Sequence, residues 1–286
     1  RIAEVEGAHV RNKKMMRTPK KKKQILETVI ELIYSYENRK IICIATAGFE
    51  RDGKIIHALN MDFNDIVLKG ILQKKFNAKV YVENDANCAG LAELHHGVGR
   101  GKNNFVLLTL GTGIGGAVII DKKLYRGNGG AGEIGSMIMS RCFSNNSLHL
   151  EHPKVHTKRK DFLICHDIFE HLASGSASVK IAHESGLKNI TSLELEERAN
   201  KKDKMALKVY ERVGYYLGVG LANLSYAFDP DILVLGGGFS RVKHIYPNAT
   251  KTLHLLYNID PKPKIVKARF GDDAGLIGAA LLAKGY

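Results

Sequence analysis

Residues 105–120 read Phe-Val-Leu-Leu-Thr-Leu-Gly-Thr-Gly-Ile-Gly-Gly-Ala-Val-Ile-Ile, and this stretch decides the fold class. Its apolar run Phe105–Leu110 predicts a buried strand, and residues 117–120 predict a second one. The glycine-rich run 111–116 therefore lies between two strands and predicts a hairpin. A dinucleotide-binding glycine loop lies between a strand and a helix instead. The context thus argues against a dinucleotide fold.

The segments on either side of this hairpin alternate between strand and helix patterns. Strands are predicted at 1–5, 41–45, 80–82 and 232–235, and helices at 24–36, 68–76, 86–95, 203–228 and 274–284. The long helix 203–228 carries Gly214, Gly218 and Gly220, at any of which a bend is expected. Residues 141–162 are polar and irregular, and they predict a loop insertion. The alternation is typical of an α/β architecture.

The bulk composition describes an ordinary globular protein with a strong positive charge. The 286 residues favour two domains. No apolar stretch reaches the roughly 18 residues of a membrane helix, and the basic first residues do not form a signal peptide. Among the four cysteines, at 43, 88, 142 and 165, no spacing gives Cys-x-x-Cys. We therefore expect buried thiols in a cytoplasmic protein rather than disulfides.

The formal net charge of +14 has two interpretations. Much of it comes from the lysines at 20–23 and from the basic segment 154–160. Both segments lie beside predicted loops or helix starts, which favours solvated surface. A strongly basic balance also suits a polyanionic ligand, including ATP or polyphosphate.

The sequence Glu83-Asn84-Asp85-Ala86-Asn87 follows a predicted strand and opens a predicted helix. Asn84 or Asp85 can simply cap the helix. Alternatively, Asp85 lies at the carboxyl end of a strand, the edge at which open α/β sheets bind ligands. A carboxylate at that edge can accept the proton of an attacking hydroxyl group.

Three glycine-rich segments are candidates for ligand binding. In the predicted hairpin, glycines let backbone N–H groups approach phosphate oxygens, and Thr109 or Thr112 adds a hydroxyl donor. Glu133 lies inside the run 129–135, where it can bind sugar hydroxyls or simply be exposed in a tight turn. The run 236–238 follows a strand and suits either a nucleotide base or a strand-to-helix turn.

Together these segments resemble the ROK family, which is named for repressors, open reading frames and kinases. Its kinases include glucokinases, fructokinases and N-acetylmannosamine kinases. The matching segments are, in chain order, 41–48, 57–61, 83–87, 108–116, 132–135, 169–175, 236–238 and 271–280. Asn-Asp-Ala-Asn at 84–87 and Gly-Thr-Gly-Ile-Gly-Gly at 111–116 form the most specific pair.

The resemblance implies a role for each matched residue. Asp85 corresponds to the family's catalytic base. The implied sugar-binding residues are Gly48, Asn60, Asn84, Asp85, Glu133 and Glu170. The implied nucleotide-binding residues are Gly111, Thr112, Gly113, Gly237 and Gly238. No side chain is assigned to a metal ion.

The same resemblance implies an α/β fold of two ribonuclease-H-like, actin-like ATPase domains around an interdomain cleft. We expect a smaller domain at 1–96 plus 273–286 and a larger one at 97–272. The implied activity is phosphorylation of a hexose at its 6-hydroxyl by ATP with Mg²⁺. The expected protein is cytoplasmic and forms a dimer or tetramer. We expect no membrane contact and no nucleic-acid partner.

Two departures from the family pattern bear on catalysis and metal binding. The family's first phosphate loop, Asp-x-Gly-Gly-Thr, precedes a strand like 1–5, so we expect the numbering to begin after it. The family's zinc motif is missing, because Ser136 replaces its histidine and Ile168 replaces its last cysteine. Another zinc site would need ligands from Cys142, His149, His152, His156, Cys165 and His166, whose irregular spacing argues against it.

Two other functions remain open. A ROK transcriptional regulator uses this fold to sense a sugar without turnover, but it needs an N-terminal winged helix-turn-helix, and residues 1–36 do not resemble one. A kinase that uses polyphosphate in place of ATP would suit the basic charge. Glucose is the default sugar for this pattern, with N-acetylmannosamine and fructose as alternatives.

Overall fold

The computed structural model of the chain describes residues 1–58, 61–141 and 166–286. The strands are β1 (Ile2–Glu6), β2 (His9–Lys14), β3 (Ile41–Thr46), β4 (Phe49–Arg51), β5 (Lys54–His57), β6 (Lys79–Asn84), β7 (Phe105–Leu110), β8 (Ile114–Ile120), β9 (Lys123–Leu124), β10 (Ile138–Arg141), β11 (His166–Ile168), β12 (Ile232–Gly236) and β13 (Lys264–Lys267). The α-helices are α1 (Lys22–Tyr34), α2 (Leu68–Phe76), α3 (Asp85–His96), α4 (Phe169–Ala173), α5 (Gly175–Glu184), α6 (Ser192–Asn200), α7 (Lys204–Phe228), α8 (Tyr246–Leu256) and α9 (Ala274–Leu282).

Five strands form one sheet in the order β13-β12-β7-β8-β9. Strands β7 and β12 are buried along nearly their whole length. Both are continuous apolar runs, which is the pattern of strands that are covered on both faces. Strands β3 and β6 pair in parallel, whereas β1–β2, β4–β5 and β10–β11 are antiparallel pairs.

The chain divides into two compact units. Unit 1 comprises Arg1–Leu107, Gly116–Gly132 and Val266–Tyr286, and unit 2 comprises Leu108–Gly115 and Glu133–Ile265. The domain boundaries expected from the sequence differ from this division, because residues 97–107, 116–132 and 266–272 lie in unit 1. Those boundaries stay a prediction.

Unit 1 is built around the parallel pair β3–β6. Helix α9 packs against α3 and β3, and an apolar cluster that includes Ile33, Leu68, Leu72 and Val80 forms a core beside the pair. Parallel strands need a crossover connection, and here the segment between β3 and β6 contains α2 and the β4–β5 hairpin. The carboxyl ends of β3 and β6 therefore meet at one edge.

Unit 2 is built around α7, which contacts α4, α5, α6 and α8. This helix is continuous over 25 residues. A side chain at Gly214 or Gly218 would collide with α8 or the turn before it, and one at Gly220 would collide with the ring of Phe169. The glycines that suggested a bend therefore serve close helix packing.

The glycine hairpin is shorter than the sequence pattern indicates. Strand β8 begins at Ile114, so Gly115 and Gly116 belong to the strand and not to the turn. Backbone from another segment approaches this strand closely in each unit. The Gly116 carbonyl lies against Gly132, and the Ile114 carbonyl lies against Gly135. Both helix 68–76 and strand 105–110 have the bounds that the sequence predicts.

The first lysine run forms the beginning of α1. Lys21 precedes the helix, Lys22 donates to the Asn64 carbonyl, and Lys23 lies 3.9 Å from Glu27. The basic segment 154–160 lies outside the described residues. In the parts of the chain that are described, no helix combines the length and apolar composition needed to cross a bilayer.

The two described cysteines are free thiols, Cys43 half-buried and Cys88 buried. Burial raises the pKa of Cys43 to about 11 and also raises the pKa of Cys88. Because the thiolate is the reactive form, both groups are chemically quiet at neutral pH.

The α3–α9 contact gives a direct test of unit 1 packing. A methyl group at Gly278 would collide with the backbone carbonyl of Cys88, whereas one at Gly275 would lie 3.7 Å from Ala45 Cβ. We expect Gly278→Ala to lower the free energy of unfolding by about 1–3 kcal/mol. Gly275→Ala, on the same helix, should raise it by about 0.5–1 kcal/mol. Urea titration of both variants measures the difference, and equal stabilities would contradict the packing described.

Candidate active site

The junction of β6 and α3 brings three of the expected site residues together. Thr46 pairs with Asn84 at the carboxyl ends of β3 and β6, and Asp85 is the first residue of α3. The Asn84 side-chain amide donates to the Gly48 carbonyl at 3.0 Å. Gly48 has a φ of 90°, and a Cβ there would collide with His57, so the position requires glycine.

Asn84, and not Asp85, is the N-cap of α3. Its Oδ1 accepts from the backbone N–H groups of Ala86 at 2.8 Å and Asn87 at 3.1 Å. The Asp85 carboxylate itself accepts from the Ala86 N–H at 2.9 Å. Since capping is already supplied by Asn84, the first of the two interpretations does not account for Asp85.

Asp85 is exposed as a residue, but protein atoms surround much of its carboxylate. The residue is accessible to solvent, but the surrounding protein withdraws its carboxylate from bulk water and raises its pKa. Hydrogen bonds from the backbone N–H groups of Ala86 and Asp85 lower the pKa, but each is a smaller effect. A carboxylate that is both accessible and of raised pKa is the kind of group that can take a proton from a ligand.

Glu83, which the sequence did not single out, lies directly behind this turn. Its side chain is 5% exposed, and its Oε2 accepts from Arg126 Nε at 2.7 Å. Its Oε1 accepts from the Asn84 N–H and from the Asn87 side-chain amide, each at 2.9 Å. Arg126 also donates to the Tyr286 carbonyl at 3.3 Å. The sequence signal for such a pair is an acidic residue at the end of a buried strand, because a buried carboxylate needs a cationic partner.

The glycine hairpin of unit 2 is closed by a hydrogen bond from Gly111 N–H to the Gly113 carbonyl at 2.9 Å. Among the described residues, a Cβ at Gly111 would meet no atom within 4 Å. The fold itself therefore gives no reason for glycine at Gly111. Close approach of a ligand to the backbone would give one.

Glu170, on α4, lies against this hairpin. Its Oε2 accepts from the Ile114 N–H at 3.3 Å and occupies the space that a Cβ at Gly113 would need. One of the expected sugar-binding residues is thus in contact with one of the expected phosphate-binding residues. A side chain at position 113 would have to displace the Glu170 carboxylate.

A helix N-terminus adjoins the same turn. The N–H of Gly175, the first residue of α5, donates to the Gly111 carbonyl at 2.8 Å, and the Ser174 hydroxyl caps the helix by accepting from Ala177. Helix N-termini favour negative charge. A serine before a helix start is a recognisable sequence signal, and Ser-Gly-Ser-Ala at 174–177 contains it.

The run 236–238 combines three different glycines. Gly236 ends β12, and Gly237 has φ 80° and ψ 168°, a conformation that only glycine adopts readily. A Cβ at Gly237 would also collide with the Leu110 backbone, whereas a Cβ at Gly238 would meet no atom of the described part of the chain within 4 Å. Gly238, like Gly111, is a glycine that the fold does not explain.

Glu133 is an exposed residue that precedes a short 3-10 turn, Ile134–Ser136. The next residue, Met137, accepts through its carbonyl from the Phe169 N–H at 2.9 Å. The chain segments that carry Glu133 and Glu170 are therefore joined by a backbone hydrogen bond in unit 2.

Some of the residues expected at the site lie outside the part of the chain that the structure describes. Asn60 lies outside the described residues, as do Cys142, His149, His152, His156 and Cys165 among the alternative zinc ligands. Within 1–58, 61–141 and 166–286, no group of three potential metal ligands comes together. Gly48, Asn84 and Asp85 lie in unit 1, whereas Glu133, Glu170 and the nucleotide-binding glycines lie in unit 2.

The fold is similar to that of solved sugar kinases. The crystal structure of a ROK family glucokinase from Streptomyces griseus, in complex with glucose and AMPPNP, matches with a TM-score of 0.81 and 26% identity, over 99% of this chain and 94% of that one. This likeness identifies the ribonuclease-H-like, actin-like ATPase fold and confirms the predicted fold class.

The family follows from the sequence. Residues 2–286 match the ROK family, and the chain belongs to it. A glucokinase from Halalkalibacterium halodurans is 32% identical over 85% of this chain and 76% of its own length. An N-acetyl-D-glucosamine kinase from Photobacterium profundum is 30% identical over 91% and 86%. A xylose repressor from Bacillus spizizenii is 30% identical over 65% of this chain but only 44% of its own length.

The pair Gly237 and Gly238 tests the distinction between structural and ligand-facing glycines. Gly237→Ala places a side chain in a glycine-only conformation against backbone, and we expect it to lower the free energy of unfolding by about 2–4 kcal/mol. Gly238→Ala should change it by less than about 1 kcal/mol. Chemical denaturation distinguishes them, and comparable losses for both variants would refute this assignment.

Proposed function

We propose that the protein is an ATP-dependent hexose kinase in which Asp85 is the general base. The observation that carries the proposal is that Asn84 and Asp85, although adjacent, have different roles. Asn84 caps α3, and the Asp85 carboxylate remains accessible with a raised pKa. The ROK glucokinases and N-acetyl-D-glucosamine kinase among its relatives support the same reaction class.

In the proposed reaction, the sugar's 6-hydroxyl transfers its proton to the Asp85 carboxylate. The hydroxyl oxygen then forms a bond to the γ-phosphorus of ATP, and the bond from that phosphorus to the β–γ bridging oxygen breaks in line, which releases ADP. Glu133 and Glu170 would accept hydrogen bonds from other sugar hydroxyls. Gly48 and Asn84 would support the sugar near Asp85, together with Asn60.

The proposed phosphate-binding groups are backbone N–H groups and the Thr112 hydroxyl of the glycine hairpin, with the N-terminus of α5 beside them. Gly237 and Gly238 would border the adenosine. These groups are donors, which suit phosphate oxygens and not a cation. Magnesium would therefore enter bound to the phosphates of ATP, where it neutralises developing charge, and no side chain is assigned to it.

The alternative is a sugar-sensing regulator without turnover. Its support is the xylose repressor relative, which shares the sugar-kinase fold region over less than half of its own length. An intact Asp85 with a raised pKa favours the kinase, since sensing alone needs no base. Glucose is the first sugar to test, followed by N-acetylglucosamine, N-acetylmannosamine and fructose. A cytoplasmic, dimeric or tetrameric enzyme remains part of the proposal.

Replacement of the base is the decisive experiment. We expect Asp85→Asn to lower sugar-dependent ADP release by about 10²- to 10⁴-fold while sugar binding, measured by calorimetry, survives. Asp203→Asn is the matched control, because Asp203 only caps α7 and pairs with Arg198. Sugar binding without turnover in the wild type would favour the regulator. Replacing ATP with polyphosphate in the same assay tests the donor.

The acid limb of the pH profile tests the state of Asp85. Protonation inactivates a general base, so kcat/KM should fall about tenfold per pH unit below the pKa of Asp85. Because surrounding protein raises that pKa, the midpoint should lie above the roughly 3.9 of an ordinary aspartate. Steady-state kinetics between about pH 4 and about pH 8 locate it. A midpoint at or below the ordinary value would contradict the described environment.

A further inference from the structure

The Glu83 carboxylate connects the Asp85 turn to another segment of unit 1. Both of its oxygens are used. Oε1 accepts from the Asn84 N–H and the Asn87 side chain, on either side of Asp85, and Oε2 accepts from Arg126. Any displacement of Glu83 would therefore shift the residues that flank Asp85.

Arg126 begins a turn that we name the 126–132 loop. Its carbonyl accepts from the N–H groups of Gly129 at 2.8 Å and Ala131 at 3.3 Å. The same residue thus shapes the loop with its backbone and binds Glu83 with its guanidinium. The loop leads directly to Glu133 in the chain.

The 126–132 loop is also held from its other side. Arg51, on β4, donates to the Asn128 carbonyl at 2.8 Å, and a Cβ at Gly130 would lie 3.0 Å from the Phe49 ring. The β4–β5 hairpin follows Gly48, whose carbonyl accepts from Asn84. A closed circuit of contacts therefore runs from the Asp85 turn through Arg126 and β4 back to Asn84.

Stability alone does not explain an ion pair at this place. Withdrawing a carboxylate from water opposes the attraction to its partner, and apolar residues of similar volume often serve stability as well or better. What such a pair supplies is a fixed geometry, because each oxygen accepts only from donors in defined directions. Here the geometry that is fixed is the start of α3.

We propose that Glu83 and Arg126 are a positioning pair that holds the Asp85 carboxylate and the 126–132 loop in one arrangement for phosphoryl transfer. This inference rests on the proposed function. Neither residue touches the reacting atoms in this scheme; they act through Asp85 and through the loop that precedes Glu133. Loss of the pair leaves the Asp85 turn and the 126–132 loop folded but allows the Asp85 carboxylate to move from its working position.

Glu83→Gln is the central variant, because an amide cannot accept from Asn84, Asn87 and Arg126 all together. We expect kcat to fall about 10- to 100-fold, as a displacement of roughly 1 Å can do, with the KM for ATP changed by less than about threefold. The matched control is Glu93→Gln. Glu93 is another buried glutamate of unit 1, on α3, and it accepts from Val98, Arg269 and Phe270 backbone N–H groups. Both variants should lower the melting temperature, but Glu93→Gln should leave kcat unchanged.

Substitutions at Arg126 test whether a retained positive charge restores kcat. Arg126→Met removes the charge and should match Glu83→Gln, whereas Arg126→Lys retains a donor and should recover about tenfold in kcat relative to Arg126→Met. The double variant Glu83→Gln/Arg126→Met should be no slower than the slower single variant, because one interaction is lost in each case. The proposal would be overturned if the kcat losses of the two single variants multiplied in the double variant, or if Arg126→Lys were as slow as Arg126→Met. An equal kcat loss in Glu93→Gln would also overturn it.

Amide hydrogen exchange separates this inference from the proposed function. In Glu83→Gln, exchange should accelerate at Ala86, Asn87, Gly129 and Ala131, and remain unchanged in α7 of unit 2. A wild-type protein without turnover would sink the kinase proposal, while exchange would still report on the pair. Unchanged exchange at these amides together with unchanged kcat would show that Glu83 and Arg126 position nothing.

Discussion

The side-chain amide of Asn84 is the interaction on which the arrangement of the site depends. Its oxygen binds two N–H groups of the first turn of α3, and its nitrogen binds the carbonyl of Gly48 after β3. One residue thus connects the ends of two parallel strands to the beginning of a helix. Because Asn84 accepts from the N–H groups at the helix terminus, the neighbouring Asp85 carboxylate is not needed as the N-cap. Glu83 behind it and Gly48 beside it restrict the same turn further.

The glycines of the site perform two distinct tasks. Gly48 and Gly237 are needed by the chain itself, because each has a positive φ and neighbouring backbone leaves no room for a side chain. A side chain at Gly113 would displace the Glu170 carboxylate. Gly111 and Gly238 have no positive φ, and a Cβ at either position would meet no atom within 4 Å in the residues that the structure describes. Counting glycines in a motif therefore overstates how many are there for a ligand. At each position, the neighbouring atoms show whether a side chain would fit.

The sequence predicted best those features that depend on local pattern. Helix 68–76 and strand 105–110 follow from periodicity and apolar content, and the Asn-Asp-Ala-Asn segment identified the helix start and the family. The extent of the glycine turn was misjudged because Gly115 and Gly116 belong to strand β8, and glycine content alone does not show where a turn ends. Glu83 and Arg126 were missed because 43 positions separate them along the chain, and no local signal pairs them.

The pairing of β10 with β11 has an evolutionary consequence. Arg141 pairs with His166, so the two ends of the segment 142–165 leave and rejoin the fold side by side. Insertions or deletions between such adjacent ends change the chain without altering the path that leads to Glu170. A change of length between Arg141 and His166 would therefore leave the β10–β11 pair and the α4 helix that carries Glu170 in place.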